Sequence, residues 1–357
     1  MNKTRLALIG GGRIGKIHLK AMSEVSEAEL VAIVDTNTEI EQLAKHFSVP
    51  FFQSSDKMLQ TVTPDGVIVC TPTDIHFSPV ASALKSGAHV LVEKPITQSV
   101  EEALKIISLS EQTSREVLVG HHRRHYGILQ KTRQLIHDGV LGQLVAVQGM
   151  WTTRKADAYY ELEGRKKRSS GPVLINLIHE IDILRYLCGE VRSIFAKLSG
   201  GIRNHPKEES AAVVMELENG VLGTFLLSDV TPSPWTWEHA TGENDGFPKS
   251  AQNTFRFVGT EACLEFPNLS IWKTQGEADW HHPMLREDYN IPLENAYILQ
   301  CKHFCNVINK KEKPRITAQD ATRTLAATLA VFEASESGKH VLLGVPRKRF
   351  WLKLKIL

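Results

Sequence analysis

The chain has 357 residues, 42% of them hydrophobic and 23% charged, with a formal net charge of +2. That length allows two domains with separate cores, and the near-neutral balance speaks against a nucleic acid or another polyanion as partner. No apolar run is long enough to span a bilayer and residues 1–5 carry no leader pattern, so no membrane partner is expected. Five scattered cysteines, an odd number, fit free thiols in a reducing compartment, which makes a cytoplasmic protein the expectation.

In chain order, apolar runs at 5–9, 30–34, 66–70, 89–92 and 116–120 predict strands, with a weaker one at Phe51-Phe52. Helical patterns fall between them at about 13–24, 37–46, 74–86 and 99–113. This alternation predicts a doubly wound parallel sheet with right-handed crossovers over residues 1–120. The rhythm then changes. A helix at about 124–138 is followed by a strand at 144–152, an irregular charged segment to 170, and an apolar helix at 174–187. Further strands are expected at 194–198, 211–218, 221–228, 255–259 and 263–266, with Glu218-Asn219-Gly220 as a hairpin turn. Strands that succeed one another without long helices predict an α+β domain over 121–343 with a mostly antiparallel sheet. Helices at about 293–310 and 317–337 close it, and the cationic residues 344–357 read as a loosely packed tail.

The first strand runs into Gly10-Gly11-Gly12-Arg13-Ile14-Gly15, a G-x-G-x-x-G spacing at a strand-to-helix turn. Gly10 suits the tight turn, Gly12 the approach of a pyrophosphate, and Gly15 close packing of helix on strand. The helix opening at Arg13 and Ile14 points free N–H groups and its positive dipole end at that phosphate. The second apolar run ends in Asp35-Thr36, about 20 residues past Gly15, as the dinucleotide fingerprint requires. A carboxylate there accepts from both ribose hydroxyls and repels a 2′-phosphate, so NAD is expected over NADP.

Ligands of such sheets sit beyond the carboxyl ends of the strands. Two of those ends carry Cys70-Thr71-Pro72 and Glu93-Lys94-Pro95, and both are expected beside the cofactor, with His76 at its edge or at a helix start. Lys94 is poorly explained by structure alone, since most lysines are solvated. Pro95 biases it toward an extended conformation, and partial burial lowers its pKa, so that it can exchange a proton with a substrate hydroxyl. Arg123 and Tyr126 follow the last strand of this sheet, where contact with substrate and ordinary packing are both open. In the aromatic segment 232–249, Trp235 or Trp237 over a sugar ring stands against an ordinary loop.

These motifs, with Asp65–Thr73 and His76, Gly120-His121-His122-Arg123-Arg124, and Gly171-Pro172 before His179-Glu180-Ile181-Asp182, resemble the glucose–fructose oxidoreductase/inositol dehydrogenase (Gfo/Idh/MocA) family. The resemblance covers the chain to about residue 343. It implies a Rossmann domain followed by an α/β domain with an open sheet that commonly makes dimers or tetramers. It also implies oxidation of a secondary alcohol on a sugar or cyclic polyol, or the reverse reduction, with His179 as the catalytic histidine. Many relatives carry an aspartate four residues earlier. Here that position is Ile175, and Asn176 is the nearest polar neighbour, expected to position substrate.

The expected activity is thus NAD-dependent hydride transfer to or from a small polyol, with Lys94 and His179 sharing the proton work. A non-catalytic NAD-binding redox sensor and an imine or enone reductase on the same scaffold are the alternatives. No metal is expected at His121, His122 and His125, which lack a carboxylate at helical spacing. Cys301 and Cys305 read as free core thiols, and the basic run Arg165–Arg168, by the resemblance, as a loop near an anionic or polyol ligand.

Overall fold

The computed structural model describes residues 3–243 and 246–343. By packing, these divide into one unit of 3–125 with 295–325 and a second of 126–294 with 326–343. The sequence reading carries the second domain over 121–343; residues 121–125 and 295–325 pack with the first unit instead.

The first unit contains β1 (Thr4–Ile9), α1 (Arg13–Ser23), β2 (Ala28–Val34), α2 (Glu41–His46), β3 (Phe51–Phe52), α3 (Ser55–Val62), β4 (Gly66–Val69), α4 (Phe77–Lys85), β5 (His89–Val92), α5 (Val100–Thr113) and β6 (Val117–Val119). All six strands are parallel, in the order β3-β2-β1-β4-β5-β6, so strand order reverses between β1 and β4. Strand β4 is buried along its whole length and β1 and β5 at all but one residue each, which is why they read as apolar runs. Helix α3 is the one element here that periodicity missed. Only Met58 and Leu59 of it are buried, and its start is set by Ser54, whose hydroxyl accepts from the Lys57 N–H.

The second unit opens with α6 (Gly127–His137) and β7 (Leu144–Thr152). Three short 3-10 turns over 157–170 occupy the irregular segment. The expected helix at 174–187 has two parts: a π-helical turn, Val173–Leu177, and then α7 (Ile178–Cys188). Next come β8 (Val191–Ser199), β9 (Ser210–Leu217), β10 (Leu222–Ser228), α8 (Trp237–Thr241), β11 (Phe255–Gly259), β12 (Cys263–Phe266), β13 (Ser270–Thr274) and β14 (Met284–Asp288). After α9 (Ala296–Ile308) and α10 (Ala318–Ser337), β15 (Val341–Leu342) completes a nine-stranded sheet, β14-β13-β12-β11-β7-β10-β9-β8-β15. Its neighbours are antiparallel except β7 and β10, which run parallel with Thr152 level with Ser228. Strand β14 is exposed at all five residues, so it forms by backbone pairing with no apolar alternation to announce it.

Helix α9 returns to the first unit. Cys301, Phe304, Cys305 and Val307 join Leu6, Leu8, Leu19, Ile33 and Ile68 in one apolar cluster, and both thiols are free. In the second unit alternate residues face inward. Ala211, Val213 and Met215 of β9 and Phe225 and Leu227 of β10 are buried. Val214, Leu222, Leu226 and Val258 lie exposed on the other face.

Candidate active site

Three parallel strands bring the candidate residues of the first unit together. Ile9, Val69 and Val92 are level in register, so the segments after β1, β4 and β5 leave the sheet at one edge. Gly10 turns there with φ of +99°, and a Cβ on it would stand 2.7 Å from the Cys70 carbonyl carbon. A Cβ on Gly15 would stand 2.0 Å from the Gly10 oxygen, so only glycine lets α1 start this close to β1. A Cβ on Gly12 would meet nothing within 4 Å. Gly12 caps α1 without a side-chain hydrogen bond, and the exposed Arg13 and half-buried Ile14 begin the helix. Open space in front of an uncapped helix N-terminus is what a pyrophosphate requires. At the end of β2, Asp35 accepts from the Gly11 N–H (2.7 Å) through Oδ2 and from the Asn37 N–H (2.8 Å) through Oδ1, with Thr36 exposed beside it. These residues fit a dinucleotide.

The half-buried Lys94 stands two residues past Val92 at the same edge and is joined to Pro95 by a cis peptide. Its surroundings are braced from two sides. The buried ring of His76 bridges the Pro95 oxygen (Nδ1, 2.9 Å) and the Thr71 oxygen (Nε2, 2.8 Å), tying the segment after β4 to the one after β5. Burial holds the His76 imidazole below its ordinary pKa against the pull of those carbonyls and of Glu93. Glu93 turns inward: its Oε1 lies 2.8 Å from His18 Nε2 on α1, and its Oε2 accepts from the Lys94 N–H (3.2 Å). Burial opposes its charge, but His18, His122 and Lys94 outweigh it and hold the carboxyl below its usual range. The His18 Nδ1 is buried without a hydrogen-bond partner among the described residues, while Nε2 faces the Glu93 carboxyl. Tyr297 lies edge-on to His18 (5.3 Å) and stacks on His122 (4.4 Å).

The second unit gathers its own polar group where the parallel strands β7 and β10 end. The Lys155 N–H donates to the Asp229 oxygen, and the Lys155 Nζ reaches Asn176 Oδ1 (2.9 Å) and Asp229 Oδ2 (3.6 Å). Asp229 is fully buried and also accepts from Tyr160 Oη (2.7 Å), Lys207 Nζ (3.0 Å) and Arg203 Nη1 (3.2 Å). Burial pushes the Lys155 ammonium down to about 8, with Asp229 opposing and Lys207 adding to the fall. The Asp229 carboxyl stays below its usual range because Lys155, Tyr160 and Lys207 overcome the desolvation. Asn176 sits in the π-helical turn, and the buried His179 follows in the first turn of α7. The Val173 N–H at the head of that turn donates to Glu208 Oε1 (2.9 Å), in the space where a Cβ on Gly171 would lie. Burial raises the Glu208 carboxyl to about 6.

Residues 4–121 match the NAD-binding Rossmann fold of the Gfo/Idh/MocA oxidoreductase family, and 133–343 match its C-terminal alpha/beta domain. The chain belongs to the Gfo/Idh/MocA family. As a member of this oxidoreductase family it is an NAD-binding enzyme. It is 27% identical over 357 residues to the scyllo-inositol 2-dehydrogenase (NAD(+)) of Bacillus subtilis, covering 97% of this chain and 98% of that one. It is 31% identical to an inositol 2-dehydrogenase of Rhizobium meliloti over 187 residues, 52% of this chain and 55% of the other. Among solved structures, scyllo-inositol dehydrogenase from Lactobacillus casei with NAD(H) and scyllo-inositol superposes with a TM-score of 0.76 at 21% identity, covering 96% and 99% of the two chains, and shares the fold.

Of the family motifs, those after β1, β2, β4 and β5 converge within the first unit. The buried Arg123 belongs to the turn His122–His125 of that unit. In the second unit the Tyr126 hydroxyl donates to Glu243 (2.6 Å). Trp235 is 41% exposed, whereas Trp237 is a core ring against Tyr126 and Phe266. In the basic run, Arg165 covers the Tyr159 ring, Lys166 pairs with Glu163 and Arg168 with Glu336. Among the described residues no three His, Cys, Asp or Glu side chains gather as a metal site, and no helix is long and apolar enough to cross a membrane. Lys155 and Asp229 were missed by the sequence reading. Their one signal was a polar residue just past each of two strands, visible only once β7 and β10 are known to be parallel.

Proposed function

We propose that this enzyme is an NAD-dependent dehydrogenase or reductase acting on a secondary alcohol or ketone of a sugar, cyclitol or related small polyol. The observation that carries the reading is the shared strand edge of the first unit, where a lysine follows β5 level with the glycine turn and the Asp35 carboxylate. The inositol dehydrogenases among its relatives support the substrate class. When bound, the nicotinamide accepts or supplies the hydride. The rest is work for the chain. Lys94 takes the hydroxyl proton as the alcohol is oxidised and returns it in the reverse direction, His179 assists as a second base, and Asn176 holds a substrate oxygen. Gly10–Gly15 and Asp35 bind the dinucleotide, which raises the local concentration of the reacting partners by fixing one of them.

The same proposal includes a homodimer or homotetramer formed through the open face of the nine-stranded sheet, supported by the exposed Val214, Leu222, Leu226 and Val258. It includes a cytoplasmic location, supported by five cysteines that are all free.

The test is NAD reduction followed by absorbance with scyllo-inositol, myo-inositol and a panel of aldoses. At least one is expected to turn over. Lys94→Ala is expected to lose about 100-fold or more of kcat while its NAD affinity stays within twofold. Unchanged kcat in that variant removes Lys94 from the mechanism, and no turnover with any polyol removes the substrate class.

A further inference from the structure

A second lysine faces the residues proposed to hold substrate, and neither the family motifs nor the reading above assigns it a task. Lys155 sits just past β7, and its side chain is 13% exposed. Its ammonium is framed by the Trp151 and Tyr159 rings, each 5.4 Å from Nζ. Of its three N–H groups, one is used by Asn176 Oδ1 at 2.9 Å and another leans on Asp229 Oδ2 at 3.6 Å. An ammonium cannot accept a hydrogen bond, so Asn176 must turn its oxygen to Lys155 and carry its NH2 on the other side. The amide orientation is thereby decided by Lys155.

We propose that Lys155 is a substrate-positioning residue: it fixes the Asn176 amide as a donor and offers its remaining N–H to a neighbouring oxygen of the same molecule. The pair then reads two adjacent hydroxyl or carbonyl oxygens on one ring, a vicinal diol or an α-hydroxyketone. This rests on the polyol reading above and deepens it.

The arrangement carries a pH signature. The charged groups facing Lys155 are Asp229 beyond β10, Lys207 and Arg203 on the segment before β9, and Glu238 on α8. Asp229 is held below the usual carboxylate range and Tyr160 above the usual phenol range, so neither changes charge between pH 7 and 9. Lys155 does, at about 8. Above that, its donor strength falls and the Asn176 amide is released.

Two measurements test this. In protein labelled with 15N at asparagine, the Asn176 side-chain amide (assigned through Asn176→Asp) is expected to shift with a midpoint near pH 8, and to stay put in Lys155→Met. A static signal in the unsubstituted protein, or the same shift in Lys155→Met, overturns the proposal. In the NADH-loaded protein, calorimetry with scyllo-inositol is expected to give binding about tenfold weaker at pH 9.5 than at pH 7. Lys155→Met is expected to be weak at both, and Lys155→Arg to lose the pH dependence, which also guards against a misfolded Met variant. Binding by Lys155→Met equal to that of the unsubstituted protein overturns the proposal. Should scyllo-inositol fail to bind at all while the amide titrates as expected, the cyclitol reading falls and the Lys155–Asn176 device stands.

Discussion

The Gly11 N–H donates to Asp35 Oδ2 at 2.7 Å, and with the Gly10 N–H on the Val34 oxygen this bond links the turn after β1 to the end of β2. It fixes the carboxylate beside the glycine turn, where it is expected to favour a free ribose and to repel a 2′-phosphate. Asp35→Asn is expected to keep an acceptor for Gly11 but lose the charge, and so to narrow the preference for NAD over NADP by about tenfold, a change of about 1.4 kcal/mol. Dissociation constants for both cofactors, from quenching of tryptophan fluorescence, provide the check. An unchanged ratio would mean that Asp35 serves only the turn.

Gly12 and Gly15 separate binding from folding. A methyl on Gly12 enters open space, so Gly12→Ala is expected to leave Tm within about 1–2 °C while abolishing NAD binding. A methyl on Gly15 collides with the Gly10 carbonyl, and Gly15→Ala is expected to destabilise by about 1–3 kcal/mol, which lowers Tm by several degrees. Scanning calorimetry with and without NAD distinguishes them. Equal Tm losses in the two variants would contradict the different tasks assigned to these glycines.

The strand-end cluster of the first unit was legible because it follows from local spacing. A buried parallel strand is an apolar run, its end is marked by a glycine, an aspartate or a lysine, and the ends of parallel strands meet at one edge. The second unit gave less away. Asp229 and Lys155 meet because β10 lies parallel to β7, although the segments are far apart in sequence and each strand alone looks like any other. The π-helical turn at Val173–Leu177 was equally silent, since an apolar stretch reads as a helix whatever its winding. Strand β14 buries nothing, and α3 buries two residues, so neither left a period to find.

Acid should strain the first unit at its buried histidines, His125 foremost. Burial, with Arg315, His303, His122 and Arg124 close by, holds the His125 imidazole well below its ordinary pKa of 6.5. The sign follows from linkage. The unfolded chain takes up a proton near pH 6.5 while the folded protein resists, so stability is lost as pH falls below that value, by up to about 1.4 kcal/mol per pH unit for one proton. The His303 imidazole is also lowered, chiefly by burial against the pull of Glu312, and adds in the same direction. His125→Gln is expected to lose less stability between pH 7 and 5 than the unsubstituted protein, as read from urea midpoints at each pH. Parallel losses in the two proteins would clear His125 of the effect.

The open sheet face makes the assembly testable. Leu222 is 58% exposed in β10, level with Glu216 of β9 and Ala146 of β7, and the register carries Val214, Leu226 and Val258 onto the same face. Isolated apolar residues on a surface need no explanation, but four on one face of three strands of the same sheet make that face a candidate for a cover. A second copy of the same face is self-complementary about a two-fold axis, so one substitution acts twice in each interface. Leu222→Glu is expected to bring two carboxylates into that interface and halve the particle mass in light scattering, with circular dichroism unchanged because the residue points away from its own core. Since the face lies opposite the buried side of β10, NAD affinity should survive in the dissociated protein. A particle mass that stays multimeric would move the contact to another surface, and a monomeric unsubstituted protein would remove it.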